Sequence, residues 1–204
     1  MISEDKTIRH YNKKARGLAE RYESADVGKL QNELLNALKK CRNILELGCG
    51  SGRDAAFLLS SSTGRKLTIT DGSNEMLRRA AEVHPELSPY LRKLELPEDL
   101  ARETGKYDGI YSIAALMHLP EPDIVETINR IAGLLMPGGI MFISVCTERE
   151  ENSPGESRTF TLKNRDWWTR QIETSGLVVM EVTESTDGLK RENTVWLNVT
   201  AQSP

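Results

Sequence analysis

Residues 44–55, ILELGCGSGRDA, join an apolar run to three glycines spaced two apart and then to residues that suit a helix. A strand that turns this abruptly into a helix is how an open parallel sheet covered by helices begins, and the rest of the chain keeps the alternation. Ile8, Tyr11, Ala15, Leu18 and Tyr22 recur at spacings of three and four and predict a first helix, followed by a second amphipathic run over residues 29–40. Strand 43–47 leads through the glycines into a helix at about 51–60, and a strand ends at Asp71. A helix over 74–83, a weak strand near 90–94, a strand at 107–113, a helix over 123–135, the MPGG break and an apolar strand at 140–145 follow. The tail differs. A polar loop over 147–157 and a helix at about 164–175 precede strands at 177–183 and 195–201, which only a charged loop separates, so that pair should be an antiparallel hairpin. The expected fold is α/β: a Rossmann-like, doubly wound, mostly parallel seven-stranded sheet with a C-terminal antiparallel hairpin and helices on both faces.

A length of 204 residues suits one buried core. We expect a single domain over 1–204, with helices in 1–40 placed to cover the site, a ligand-binding core in 41–146, and an acceptor-side helix and hairpin in 147–204. The 27 basic and 30 acidic side chains leave a net charge of −3, which suggests neither a nucleic-acid nor a membrane surface. The charged opening MISEDKTIRHYNKK is unlike a secretory segment, and the reading is a cytoplasmic protein. Cys41, Cys49 and Cys146 are too few and too scattered for a disulfide framework or a zinc site, so no metal is expected.

In such a sheet ligands sit beyond the carboxyl ends of the strands, where the first strand-to-helix turn lies. Glycines there allow unusual backbone angles and close approach of a ligand. The spacing Gly48-Cys49-Gly50-Ser51-Gly52 is GxGxG; the dinucleotide pattern GxGxxG would put its third glycine at Arg53. Glu46 narrows the choice. A carboxylate beside a pyrophosphate would repel it by ~4 kcal/mol at about 4 Å with an effective dielectric near 20, whereas an ammonium would be favoured. Asp71 closes the second strand about twenty residues on, where a carboxylate can accept from both hydroxyls of a ribose. The plainer readings are a solvated strand-end charge for Glu46 and turn chemistry for Asp71 in TDGSN. A ligand with a ribose, an ammonium and a carboxylate describes S-adenosylmethionine.

With these residues in place the sequence resembles a family, the class I S-adenosylmethionine-dependent methyltransferases, in particular small bacterial methyltransferase-domain or tellurite-resistance-type proteins. ILELGCGSGRDAAFLL is similar to the family's first motif and TDGSNEML to its second-strand motif. YDGIYSIAALMHLP resembles the fourth-strand segment, and LLMPGGIMFISV the approach to the fifth. The resemblance implies S-adenosylmethionine as cofactor, S-adenosylhomocysteine as product, and methyl transfer to a small-molecule acceptor by in-line displacement. It places the methionine part of the cofactor along Gly48, Cys49 and Gly50 with Glu46 near its amino group, and the ribose on Asp71. The adenine would lie by Gly72, Ser73, Met76 and Leu94, and the sulfonium and acceptor beside Ser112 and Ile113. Where relatives hold the adenine amino group with an acid, RKLELP offers Arg92, with Glu95 or a backbone carbonyl as substitutes.

Such chemistry needs no metal or nucleophilic side chain, and only an amine or hydroxyl acceptor gains from a base. His118, just past the fourth strand, suits that part; capping the loop or packing on the cofactor suits it equally. Tyr11 can close over the site, as can Tyr22, though packing explains both. If Arg158, Lys190, Arg191 and Trp196 converge, the tail provides a cationic, aromatic-edged pocket for a small anion; surface charge is the ordinary reading of each. A nicotinamide-dependent oxidoreductase and a non-catalytic S-adenosylmethionine-binding module are the alternatives.

Overall fold

The computed structural model describes residues 6–61, 64–149 and 157–204. Two helices, α1 (Lys6–Glu23) and α2 (Gly28–Ala37), precede β1 (Asn43–Leu47), α3 (Arg53–Ser61), β2 (Lys66–Asp71), α4 (Asn74–Val83) and the short β3 (Leu91–Lys93). Then come β4 (Tyr107–Ile113), a single 3-10 turn at Leu116–His118, α5 (Glu121–Leu134), β5 (Leu135–Glu148), α6 (Arg165–Thr174), β6 (Val178–Thr186) and β7 (Val195–Gln202). The strands form one seven-stranded sheet in the order β3-β2-β1-β4-β5-β7-β6. The first five pair in parallel, and β7 lies antiparallel between β5 and β6. This is the expected sheet, including the terminal hairpin.

Alternation along the central strands sends successive side chains to opposite faces. Leu45, Leu47, Ile110, Met141, Ile143 and Val145 enter one core with α5 and α6 residues such as Ile128 and Trp168. Ile44, Ile69, Tyr111 and Phe142 enter the other with Leu34, Leu38 and Leu58. Strand β5 is longer at both ends than its apolar run. Its polar end, Cys146–Glu148, stays extended because Trp196 and Val195 of β7 pair with it, a partner that periodicity does not reveal. The segment expected as a polar loop over 147–157 lies largely outside the described residues.

The order of the strands reverses between β1 and β4, and the first turn opens there. Helix α1 lies across this point: the position a Cβ would take at Gly72 is 3.2 Å from Ile8, and the one at Gly50 is 3.6 Å from the Tyr22 ring.

Candidate active site

The turn after β1 is held by β2. The Thr70 carbonyl accepts the N–H groups of Gly48 (2.9 Å) and Cys49 (2.8 Å), and Asp71 accepts Gly50 N–H at 2.9 Å and Ser73 N–H at 2.8 Å, one on each oxygen. Gly48 has φ +80°, and a Cβ there would stand 2.4 Å from the Ala115 Cβ. Gly52, at φ +85°, would meet Leu87 at 2.8 Å. At these two positions the obstruction is therefore the protein's own packing: small residues let the end of β4 and α4 close on the turn.

A cavity of about 1120 Å³ runs over this turn, beneath α1 and toward the β6–β7 loop. Glu46 lines it while 3% exposed. Its Oε2 has no hydrogen-bond partner among the described residues, and the Tyr111 hydroxyl across the β1–β4 ladder faces it without reaching bonding geometry. Burial, and next the Asp54 charge, push the Glu46 carboxyl well above the usual carboxylate range. Asp54 itself is tied to Arg53, whose guanidinium also donates to the Tyr22 carbonyl at 2.6 Å. Asp71 is raised to about 6, burial outweighing its two backbone donors.

Gly48, Cys49, Gly50, Asp71, Gly72, Ser73, Leu94 and Ile113 line the cavity as expected positions, together with Tyr11 and His118. Two expected contacts do not reach it. Met76 is fully buried on the core side of α4, beneath Gly50. Ser112 is buried with its hydroxyl donating to the Leu47 carbonyl at 2.8 Å, because strand alternation turns it into the sheet while Ile113 faces out. Ser73 is on the wall, but its hydroxyl caps α4 by accepting Met76 N–H and donates to Asn12 of α1 at 2.6 Å. Arg92 turns away to pair with Glu103, and Lys93 and Glu95 take its place on the wall, paired with each other.

At the far end, His118 is buried. Its Nδ1 lies 2.8 Å from the Thr159 carbonyl and its Nε2 3.1 Å from the Tyr11 hydroxyl, which also accepts from Arg158 at 3.3 Å. A carbonyl can only accept, so Nδ1 carries the hydrogen and Nε2 is the basic nitrogen. Tyr22 stands beside this group, and burial, then Tyr11, raise its phenol well above the usual range. Of the four tail residues expected to converge, all line the cavity, but they are not equivalent. Arg191 is held by Asp187 at 2.6 and 2.9 Å, Trp196 donates to the same carboxyl at 3.0 Å, and Lys190 is exposed. Arg158 keeps its place, and Arg149 and Phe160, which sequence reasoning passed over, join it: the Arg149 guanidinium carbon is 3.6 Å from the centre of the Phe160 ring. Neither residue stands in a local motif that would have singled it out.

Residues 44–139 match the family model of the methyltransferase domain. Trans-aconitate 2-methyltransferase of Variovorax paradoxus is 31% identical over 137 residues, 66% of this chain and 50% of that protein. Ubiquinone biosynthesis O-methyltransferase of Xanthomonas oryzae is 35% identical over 106 residues, 50% of this chain and 41% of that protein. The chain thus spans half or less of the length of these curated relatives. In fold it is similar to the N-methyltransferase NodS of Bradyrhizobium japonicum, solved with S-adenosylhomocysteine, at TM-score 0.73 and 16% identity over 98% of this chain and 100% of that one. The [4+2]-cyclase SpnF gives the same TM-score at 14% identity, covering 96% of this chain and 94% of that one. The core of the chain, residues 44–139, thus matches the methyltransferase domain, and the whole chain has the fold of these solved structures. Among the described residues no helix is long and apolar enough to cross a membrane.

Proposed function

We propose that the chain binds S-adenosylmethionine and transfers its methyl group to a small-molecule acceptor. One observation carries this reading: the buried, unpartnered Glu46 oxygen belongs to a side chain that lines the same cavity as Asp71. A buried polar group without a partner is costly, and a cationic ligand group beside it removes that cost and returns the carboxyl to its charged form. The residues fit the cofactor. Glu46 would take its ammonium, and Asp71, which spends two of about four lone-pair sites on backbone donors, would take the ribose hydroxyls. Gly72, Leu94 and Leu96 would border the adenine. When bound, the cofactor supplies a methyl group on a sulfonium, already activated for in-line displacement.

The chain's own part is to place the acceptor atom, exclude water and receive a proton where the acceptor carries one. His118 Nε2 is the nitrogen that receives it, directly or through the Tyr11 hydroxyl that bonds to it. The cavity volume supports a small acceptor beside the cofactor, and a net charge of −3 argues against nucleic acid. Three buried thiols support a reducing, cytoplasmic setting. A dinucleotide is disfavoured because its pyrophosphate would meet Glu46. The likeness to a cyclase means that fold alone does not set the reaction. Titration calorimetry with S-adenosylmethionine and S-adenosylhomocysteine tests the reading: sub-millimolar binding of both is expected, and no binding in that range overturns it.

A further inference from the structure

Two buried polar atoms beside the cavity have no hydrogen-bond partner among the described residues, Oε2 of Glu46 and the hydroxyl of Tyr111. Glu46 on β1 and Tyr111 on β4 stand opposite each other in register and are 3% and 1% exposed. Residues paired across a ladder point to the same face of the sheet, so the two side chains share one space. A buried donor and a buried acceptor left open side by side ask for a common explanation.

Their surroundings fix the pair and leave it to itself. The Tyr111 ring packs in the core that holds Ile44, Leu58 and Phe142, and the Thr70 hydroxyl donates to the Glu46 carbonyl at 2.6 Å, which ties β1 from its other side. Asp54, Asp71 and Arg53 are the charged groups that act on Glu46. Arg53 is turned to Asp54, at 2.9 and 3.2 Å, and to the Tyr22 carbonyl, while Asp54 also accepts from Gln31 at 3.0 Å. Asp71 accepts the N–H groups of Gly50 and Ser73. Burial therefore leaves the Glu46 carboxyl inclined to hold a proton. Burial, and next the Glu46 charge, raise the Tyr111 phenol well above its usual range, so Tyr111 stays a donor.

A hydrogen bond to a charged acceptor is about twice as strong as one to a neutral group. A bond from Tyr111 to Glu46 is therefore weak while the carboxyl is protonated, and strong once a cation in the cavity sends that proton to solvent. We propose that Tyr111 is a positioning residue for the cofactor's ammonium group: its hydroxyl donates to Oε2 of the charged Glu46 and leaves the second carboxylate oxygen to face the ligand. This role rests on the S-adenosylmethionine reading and deepens it, by naming the protein partner of the buried oxygen. It also makes the site selective, since a nucleoside without an ammonium brings no charge that closes the bond.

The test is titration calorimetry on the full chain with S-adenosylhomocysteine and with methylthioadenosine, which keeps the nucleoside and the thioether but lacks the amino-acid end. Tyr111→Phe keeps the ring and its packing. It should weaken S-adenosylhomocysteine by about tenfold to a hundredfold and methylthioadenosine by less than about twofold. Glu46→Gln should weaken S-adenosylhomocysteine as well, and adding Tyr111→Phe to it should cost less than about twofold more, because the charge that strengthens the bond is gone. A hydroxyl that merely supports the fold would weaken both ligands alike and act independently of Glu46. Unchanged S-adenosylhomocysteine affinity in Tyr111→Phe, equal losses for the two ligands, or the full loss repeated in the Glu46→Gln background would each overturn the proposal. Where one comparison is too weak to read, the other decides. If the parent chain itself fails to bind S-adenosylhomocysteine, the cofactor reading falls and the role of Tyr111 falls with it.

Discussion

At one end of the cavity the wall is made by neighbours in the chain; at the other it is made by strangers. The glycine turn, Thr70 and Asp71 lie within one strand-helix-strand unit, and backbone N–H groups supply its bonds. Tyr11 reaches His118 across 107 residues and Arg158 across 147, and the bonds are between side chains. Likewise Glu33 of α2 accepts from Thr183 and Asn198 of the hairpin, both at 2.9 Å, and Asp26 N–H donates to the Gly188 carbonyl at 3.0 Å. The end proposed for the cofactor is thus part of the sheet, whereas the end proposed for the acceptor forms where α1 and the C-terminal segments are laid over it. Damage at the first should reach the fold, and damage at the second should leave the first intact.

The harshest way to break this contrast is Gly48→Val. A left-handed backbone angle and a clash with Ala115 should cost about 2–5 kcal/mol of stability and abolish S-adenosylhomocysteine binding, read by urea melts and calorimetry. If binding survives, the turn is not the rigid half. His118→Gln should instead lower kcat by about a hundredfold or more for a hydroxyl or amine acceptor while cofactor affinity stays within a few-fold. An unchanged rate would reduce His118 to packing.

Asp71→Ala should weaken S-adenosylhomocysteine by about 1.5–3 kcal/mol, the worth of hydrogen bonds to a charged group. Its pH dependence has a definite sign. A carboxyl raised to about 6 in the folded chain against 3.8 unfolded holds its proton longer when folded, so it costs the unliganded protein stability as pH rises between about 4 and 6. Hydroxyls that favour the charged form then release a proton on binding, and calorimetry near pH 5.5 in buffers of different ionisation heat should detect it. The smallest effect on cofactor affinity belongs to Asp187→Asn. A carboxyl held at about 2 stabilises the fold above the unfolded value of 3.8 and loses that contribution as pH falls toward 2, so the variant should lose roughly 2 kcal/mol at neutral pH and lack this acid transition. Cofactor affinity should not change; a large loss would show the two ends to be one unit.

Periodicity and short motifs determined the elements of the cofactor end. The strands over 43–47 and 107–113 and the helix over 74–83 fall where alternation and 3.6-residue spacing place them, because apolar faces must meet the sheet on both sides. Glu46, the glycines and Asp71 were legible as a group, since one strand-helix-strand unit carries all of them. Side-chain direction was not. Met76 and Ser112 sit within the right motifs but face the core, a matter of which side of a strand or helix each occupies once packed. Nor was the polar end of β5, which is a strand only because β7 lies beside it. Arg149 and Phe160 escaped notice because no local motif marks them, and the pairing of Arg191 with Asp187, four residues away, depends on how the loop closes. Short-range rules set what each segment becomes; which termini meet above the sheet, and which charges they spend on each other, depends on contacts that exist only after the chain has folded.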